Sequence, residues 1–219
     1  MITCEEFVAE LEQSIQTRFA RLAQLSSAGE PSEDLTIDRL LIVALKNELE
    51  ASEIAAIWLP DTKELSVKLA LARQVGDEAK HYRLIEARLA ELGVDTSKID
   101  PRVGGFSPLF TYLRGLTDTT TRVAAGQFTR EGMALVRNQC FIEFCEVRED
   151  PQTAALYRDI IQPDERHHHE LGRSLLANFV STDEERASAQ EAAMLTLELA
   201  EEAQETARLK AGISRAPGC

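Results

Sequence analysis

Aromatic residues are few in this chain of 219 residues: eight Phe, three Tyr and one Trp. Glycine and proline are also few, at 11 and 7. An all-β sandwich or barrel spends such residues on frequent turns and pleated faces, so their shortage argues against one. Basic residues are outnumbered, 24 Lys and Arg against 37 Asp and Glu, for a formal charge of −13. That balance disfavours an electrostatic grip on nucleic acid, which needs clustered Lys and Arg. No apolar run approaches the roughly 18 residues of a membrane span. The start, Met1 to Glu6, is acidic and lacks the basic and apolar regions of a signal peptide. The four cysteines, Cys4, Cys140, Cys145 and Cys219, form no CxxC pair. They read as reduced thiols of a cytoplasmic protein, not as a disulfide framework. What is abundant is Ala, Leu and Glu, the composition of an all-α protein with ample chain for a core.

Helical periodicity runs in long segments with short breaks. Flanking helices are expected over residues 3–28 and 182–210, the first stopped by Ser26–Pro31 and the second opened by a capping box in Ser181-Thr182-Asp183-Glu184. Between them lie two helical hairpins, 34–92 and 118–180, turned at Pro60-Asp61-Thr62 and Asp150-Pro151. Ser32 or Asp34 opens the first hairpin, and Gly93 closes it as a C-cap. Residues 94–117 read as one long irregular crossover, and the tail from Ile213 to Cys219 as frayed. Two hairpins joined by one long connection are the topology of a ferritin-like four-helix bundle, here a single domain over 1–219 with an extra helix at each end. No repeat of the 33–47-residue kind is visible.

All four histidines, His81, His167, His168 and His169, fall in two similar stretches. Asp77-Glu78-Ala79-Lys80-His81-Tyr82-Arg83-Leu84 aligns with Asp164-Glu165-Arg166-His167-His168-His169-Glu170-Leu171. On a helix, Glu at i and His at i+3 project from one face. Leu71, Val75, Glu78, His81, Ile85 and Leu89 share one stripe, and Ile161, Glu165, His168, Leu175 and Phe179 another. Both pairs therefore sit on apolar faces, where an isolated carboxylate and imidazole are costly and a metal ion removes the cost. A single ExxH is common on helices; two copies on the second arms of successive hairpins are not. His167 and His169 flank the pair position and are expected at the surface. Asp77 and Asp164 are placed to accept the outer ring N–H of a histidine across the bundle.

This arrangement resembles the di-iron or di-manganese carboxylate proteins of the ferritin-like superfamily. The resemblance implies one further Glu from the first helix of each hairpin. Glu48, on the stripe Leu41, Leu45, Glu48, Ser52, Ala55, Leu59, is similar to the first-helix ligand of bacterioferritins; Glu50 and Glu53 point elsewhere. The second hairpin offers Glu143 or Glu131. Measured from Pro60, Glu78 lies farther out than Glu48; measured from Pro151, Glu165 lies farther out than Glu143 by the same offset. Phe141 to Glu146 also resembles the third-helix motif of the tRNA-hydroxylase and aldehyde-oxygenase branches, so Glu143 is expected and Glu131 is the alternative. The separation of Glu131 from Glu165 is similar to the spacing in bacterial multicomponent monooxygenases. Four carboxylates and two neutral imidazoles balance two divalent ions, leaving a formal charge of about −9. Oxygen donors with one imidazole per ion suit iron, or manganese, better than zinc.

The stretch from Glu48 to about Asp95 also resembles uncharacterised ferritin-like proteins related to the tRNA-modifying hydroxylase. The implied activity is O2-dependent oxidation of a small or carrier-bound organic substrate, with an external electron donor, by a monomer or homodimer. Iron storage and a metal-free scaffold are the competing readings. A tRNA substrate requires a basic patch from Arg114, Arg122, Arg130 and Arg137. Gly104 to Tyr112 carries three of the eleven Phe and Tyr residues and is a candidate lid, or simply a packed loop.

Overall fold

The computed structural model describes residues 3–27 and 34–218. Among these every regular element is helical: α1 Cys4–Ser27, α2 Ile37–Trp58, α3 Leu65–Glu91, α4 Pro108–Gly115, α5 Thr119–Val123, α6 Glu131–Val147, α7 Pro151–Leu156, α8 Gln162–Phe179 and α9 Asp183–Ala211. Wide π-helical turns, Ala124–Arg130 and Tyr157–Ile161, join α5 to α6 and α7 to α8 without a break. Of the expected helix-stop cluster, residues 28–31 lie outside the described residues, as do Ser32 and Cys219.

The ends of the elements follow from local chemistry. Asp118 caps α5, its carboxylate accepting from Thr121 N at 2.8 Å. Asp150 caps α7, accepting from Thr153 N at 2.9 Å, with Pro151 in the first turn, where its missing N–H costs nothing. Arg88 of α3 ties this turn down, donating to Asp150 at 2.9 Å and to Thr153 Oγ1 at 2.8 Å. The capping box of α9 stands one residue later than expected, with Thr182 accepting from Glu185 N. Gly93, at φ +86°, takes the left-handed turn after α3 that a side chain would resist.

Two expectations fail. The crossover is not wholly irregular: Ser107-Pro108 supplies an N-cap and a first-turn proline, and α4 forms behind them. Leu109, Phe110 and Leu113 of α4 are buried in the core, so this stretch is a packed element and not an open lid. The tail is not frayed either. Beyond Gly212 it folds back, and Pro217 and Gly218 are buried.

α2 packs closely against α3, α6 against α8, and α3 against α8, while α1 covers α6 and α9 covers the π-turn before it. The interior falls into two apolar clusters. One gathers Phe19, Trp58, Leu71, Phe128 and Leu176; the other gathers Leu41, Leu45, Ile85, Phe141 and Tyr157. Between them, on α2, α3, α6 and α8, lies a band of buried charge.

Candidate metal centre

Glu48, Glu78, His81, Glu131, Glu165 and His168 are each at most 3 % exposed. They form two overlapping groups that could each hold a metal ion. Glu48, Glu78, His81 and Glu165 make one, and Glu78, Glu131, Glu165 and His168 the other. Within each group one candidate ligand atom per residue lies within 4.8 Å of all the others.

The shared carboxylates set the geometry. Glu78 turns Oε2 to within 3.3 Å of His81 Nδ1 and Oε1 to within 3.6 Å of His168 Nδ1. Glu165 turns Oε1 to 3.8 Å from His81 Nδ1 and Oε2 to 3.6 Å from His168 Nδ1. Each thus faces both histidines with one oxygen apiece. Glu48 stands only on the His81 side, 3.3 Å from its Nδ1. Ligand atoms about 2.1 Å from a common ion are about 3.0–3.4 Å apart, close to the shorter of these separations.

The outer face of each ring is held by the other ExxH helix. His81 Nε2 is 3.1 Å from Asp164, and His168 Nε2 is 3.1 Å from Asp77. A proton on Nε2 leaves each Nδ1 lone pair facing the cluster, the usual work of an outer carboxylate. Lys80 binds Asp164, and Arg73 binds Asp77 at 3.1 Å. The His168 hydrogen bond holds Asp77 well below the carboxylate range; burial opposes this and Arg73 adds to it.

The third-helix position requires a correction. Glu143 is exposed and takes a hydrogen bond from Gln139 at 2.9 Å, whereas Glu131 is fully buried in the cluster. Measuring from the prolines misled because they occupy different places: Pro60 begins a loop, and Pro151 lies inside the first turn of α7. Antiparallel arms must match in rise from the turn. Glu143 stands about one turn from the end of α6, while Glu165 stands about four turns past Pro151, a mismatch of about 15 Å. Glu131 opens α6 at the end remote from that turn and is nearly level with Glu165. It is also about 120° around the helix from Glu143.

Glu131 has partners that the sequence stripes did not reveal. Gln74 Nε2 donates to it at 2.5 Å and to Glu78 at 3.3 Å, and Gln127 Nε2 donates to Gln74 Oε1 at 3.0 Å. The buried Arg130 guanidinium is 3.6 Å from Glu131. Gln74 was findable, since it lies one helical turn before Glu78 on the same face; Arg130 was hidden by the π-turn that ends on it.

Burial raises the Glu48 carboxyl, and burial together with Glu78 and Glu131 raises that of Glu165. Burial would lower both histidines, but their carboxylate neighbours outweigh it and raise them. Glu78 is lowered, because the two histidines outweigh its burial.

The remaining expected residues sort plainly. Glu50 is buried and accepts from Ser107 N at 2.9 Å, fixing α4 to α2 away from the cluster. His167 and His169 are half-buried; His169 Nδ1 donates to Phe128 O at 2.6 Å. The four arginines form no shared surface patch: Arg122 and Arg130 are buried, and half-buried Arg137 donates to Ala200 O at 3.1 Å. No helix among the described residues is long and apolar enough to cross a membrane.

No protein-family model, curated protein or solved structure matches the chain.

Proposed function

We propose that this protein is a ferritin-like di-iron carboxylate enzyme that activates O2 to oxidise an organic substrate. The observation that carries the reading is the pair Glu78 and Glu165, each presenting one oxygen to each of two inward-facing histidine nitrogens. Two ions sharing two carboxylates fit this arrangement, with Glu48 and His81 completing one position and Glu131 and His168 the other. Glu165 Oε2 and His168 Nδ1 are buried without a hydrogen-bond partner among the described residues. Unmet polar atoms inside a fold are costly, and a bound cation would satisfy both. Oxygen-rich donors with one imidazole per position suit iron, and manganese second, better than zinc.

When bound, a ferrous pair supplies the electrons and open coordination positions that O2 reduction needs. The chain does the rest. Asp77 and Asp164 hold the outer ring protons, Gln74 and Arg130 steer Glu131, and the burial of all six candidate ligands keeps bulk water from them. Anaerobic Fe(II) titration should saturate at two ions per chain, and O2 admitted afterwards should be consumed in proportion to the iron. Absence of saturable uptake refutes the reading. Manganese bound preferentially from an equimolar mixture would reassign the metal.

A further inference from the structure

Beyond α9, Gly212 takes a left-handed turn and Ile213–Gly218 returns across the protein to the acidic cluster. Two asparagines meet this segment on a single peptide unit. Asn47 Nδ2 of α2 donates to Pro217 O at 2.9 Å, and Gly218 N donates to Asn138 Oδ1 of α6 at 2.7 Å. Asn47 directly precedes the candidate ligand Glu48, and Asn138 lies about two turns, roughly 10 Å, past Glu131 on the same face of α6. A methyl group added at Gly218 would stand 3.6 Å from a Glu48 carboxylate oxygen. Asn138 is fully buried, yet its Nδ2 has no hydrogen-bond partner among the described residues. Beside the clamp lies a cavity of about 200 Å³ lined by Val43, Asn47, Arg137, Gln204, Ile213 and Ala216.

We propose that the slot between Asn47 and Asn138 is a binding site for a secondary amide, held here by the chain's own Pro217–Gly218 peptide, and that it opens onto the cluster at Glu48. One amide donor and one amide acceptor, set to read both polar atoms of one peptide bond, are what an amide ligand needs. The spare Asn138 N–H can donate to one more carbonyl. The tail is therefore a removable plug, and an amide-bearing compound is the class of molecule that takes its place. The statement about access rests on the di-metal reading; the amide site does not.

The test uses a chain ending at Gly212 and the free hexapeptide of residues 213–218 with an amidated end. Calorimetry without metal should show saturable one-to-one binding, and Asn138→Ala should weaken it about tenfold, the loss of one buried hydrogen bond. A chelator should strip Co(II) at least tenfold faster from the shortened chain than from the full one, and the peptide should restore the slow rate. The proposal is overturned if a shortened chain of unchanged helicity and cooperative melting ignores the peptide, or if stripping rates are equal. If neither chain takes up Co(II), the di-metal reading fails and calorimetry alone decides the amide site. If the shortened chain does not fold, full-length Asn47→Ala/Asn138→Ala replaces it. That variant should lose Co(II) faster and be cut by trypsin after Arg215 sooner than the parent; unchanged rates in both overturn the proposal.

Discussion

Glu131→Gln and Glu143→Gln remove the same charge, in nearly the same shape, from two positions about three turns apart on one helix. At Glu131 the carboxylate is fully buried, 2.5 Å from Gln74 Nε2 and 3.6 Å from Arg130. Its loss leaves the His168 position with three candidate ligands, two of them shared with the other position. Loss of a mere outer partner costs about ten- to a hundredfold in metal affinity. Loss of a direct charged ligand should exceed that, or more than about 2.7 kcal/mol. Such a drop takes the second ion out of the stoichiometric range, so anaerobic Fe(II) uptake should fall from two ions to one. At Glu143 the carboxylate is exposed and takes a hydrogen bond from Gln139 in its own helix. Its replacement should change stability by no more than about 0.5 kcal/mol and leave uptake at two. Thermal melts of the metal-free variants verify that both are folded. Loss of an ion in Glu143→Gln, or unchanged affinity in Glu131→Gln, refutes the assignment.

Asp164→Asn and Asp77→Asn should each weaken one ion by about ten- to a hundredfold, on the His81 and His168 sides respectively, visible as separate phases in a Co(II) titration. Metal uptake should release protons and strengthen as pH rises, because Glu48, Glu165, His81 and His168 all bind protons more tightly in the folded, metal-free chain than their ordinary values allow; a pH-independent affinity refutes this. By the same sign, a group with a raised folded pKa contributes stability at low pH that is lost as pH climbs. The metal-free Tm should therefore decline from about pH 5 upward, through and beyond neutrality, and bound metal should flatten the decline. Gly172→Ala should lower Tm sharply, by roughly 2–3 kcal/mol of stability, since a Cβ there would meet the backbone of Gln127 and Phe128 at 2.7 Å. An unchanged Tm would mean that α8 can shift away from the π-turn at little cost.

The sequence alone was sufficient for whatever depends on one helix at a time. Low glycine and aromatic content with a helical period specified an all-helical chain. The Glu78–His81 and Glu165–His168 pairs were legible because i and i+3 share a face whatever that face packs against. Asp77 and Asp164 were expected from the common pairing of a metal-facing histidine with an outer carboxylate, and they do meet His168 and His81 across the bundle. What needed the tertiary structure was which residue of α6 stands level with the two pairs. That depends on loop lengths and on wide turns, each extra residue of which rotates the following face by about 100°. Hence Glu131 displaced Glu143, Arg130 entered the cluster, and a tail read as frayed proved to be seated between two asparagines. Periodicity records the face of a helix, and only packing fixes its height.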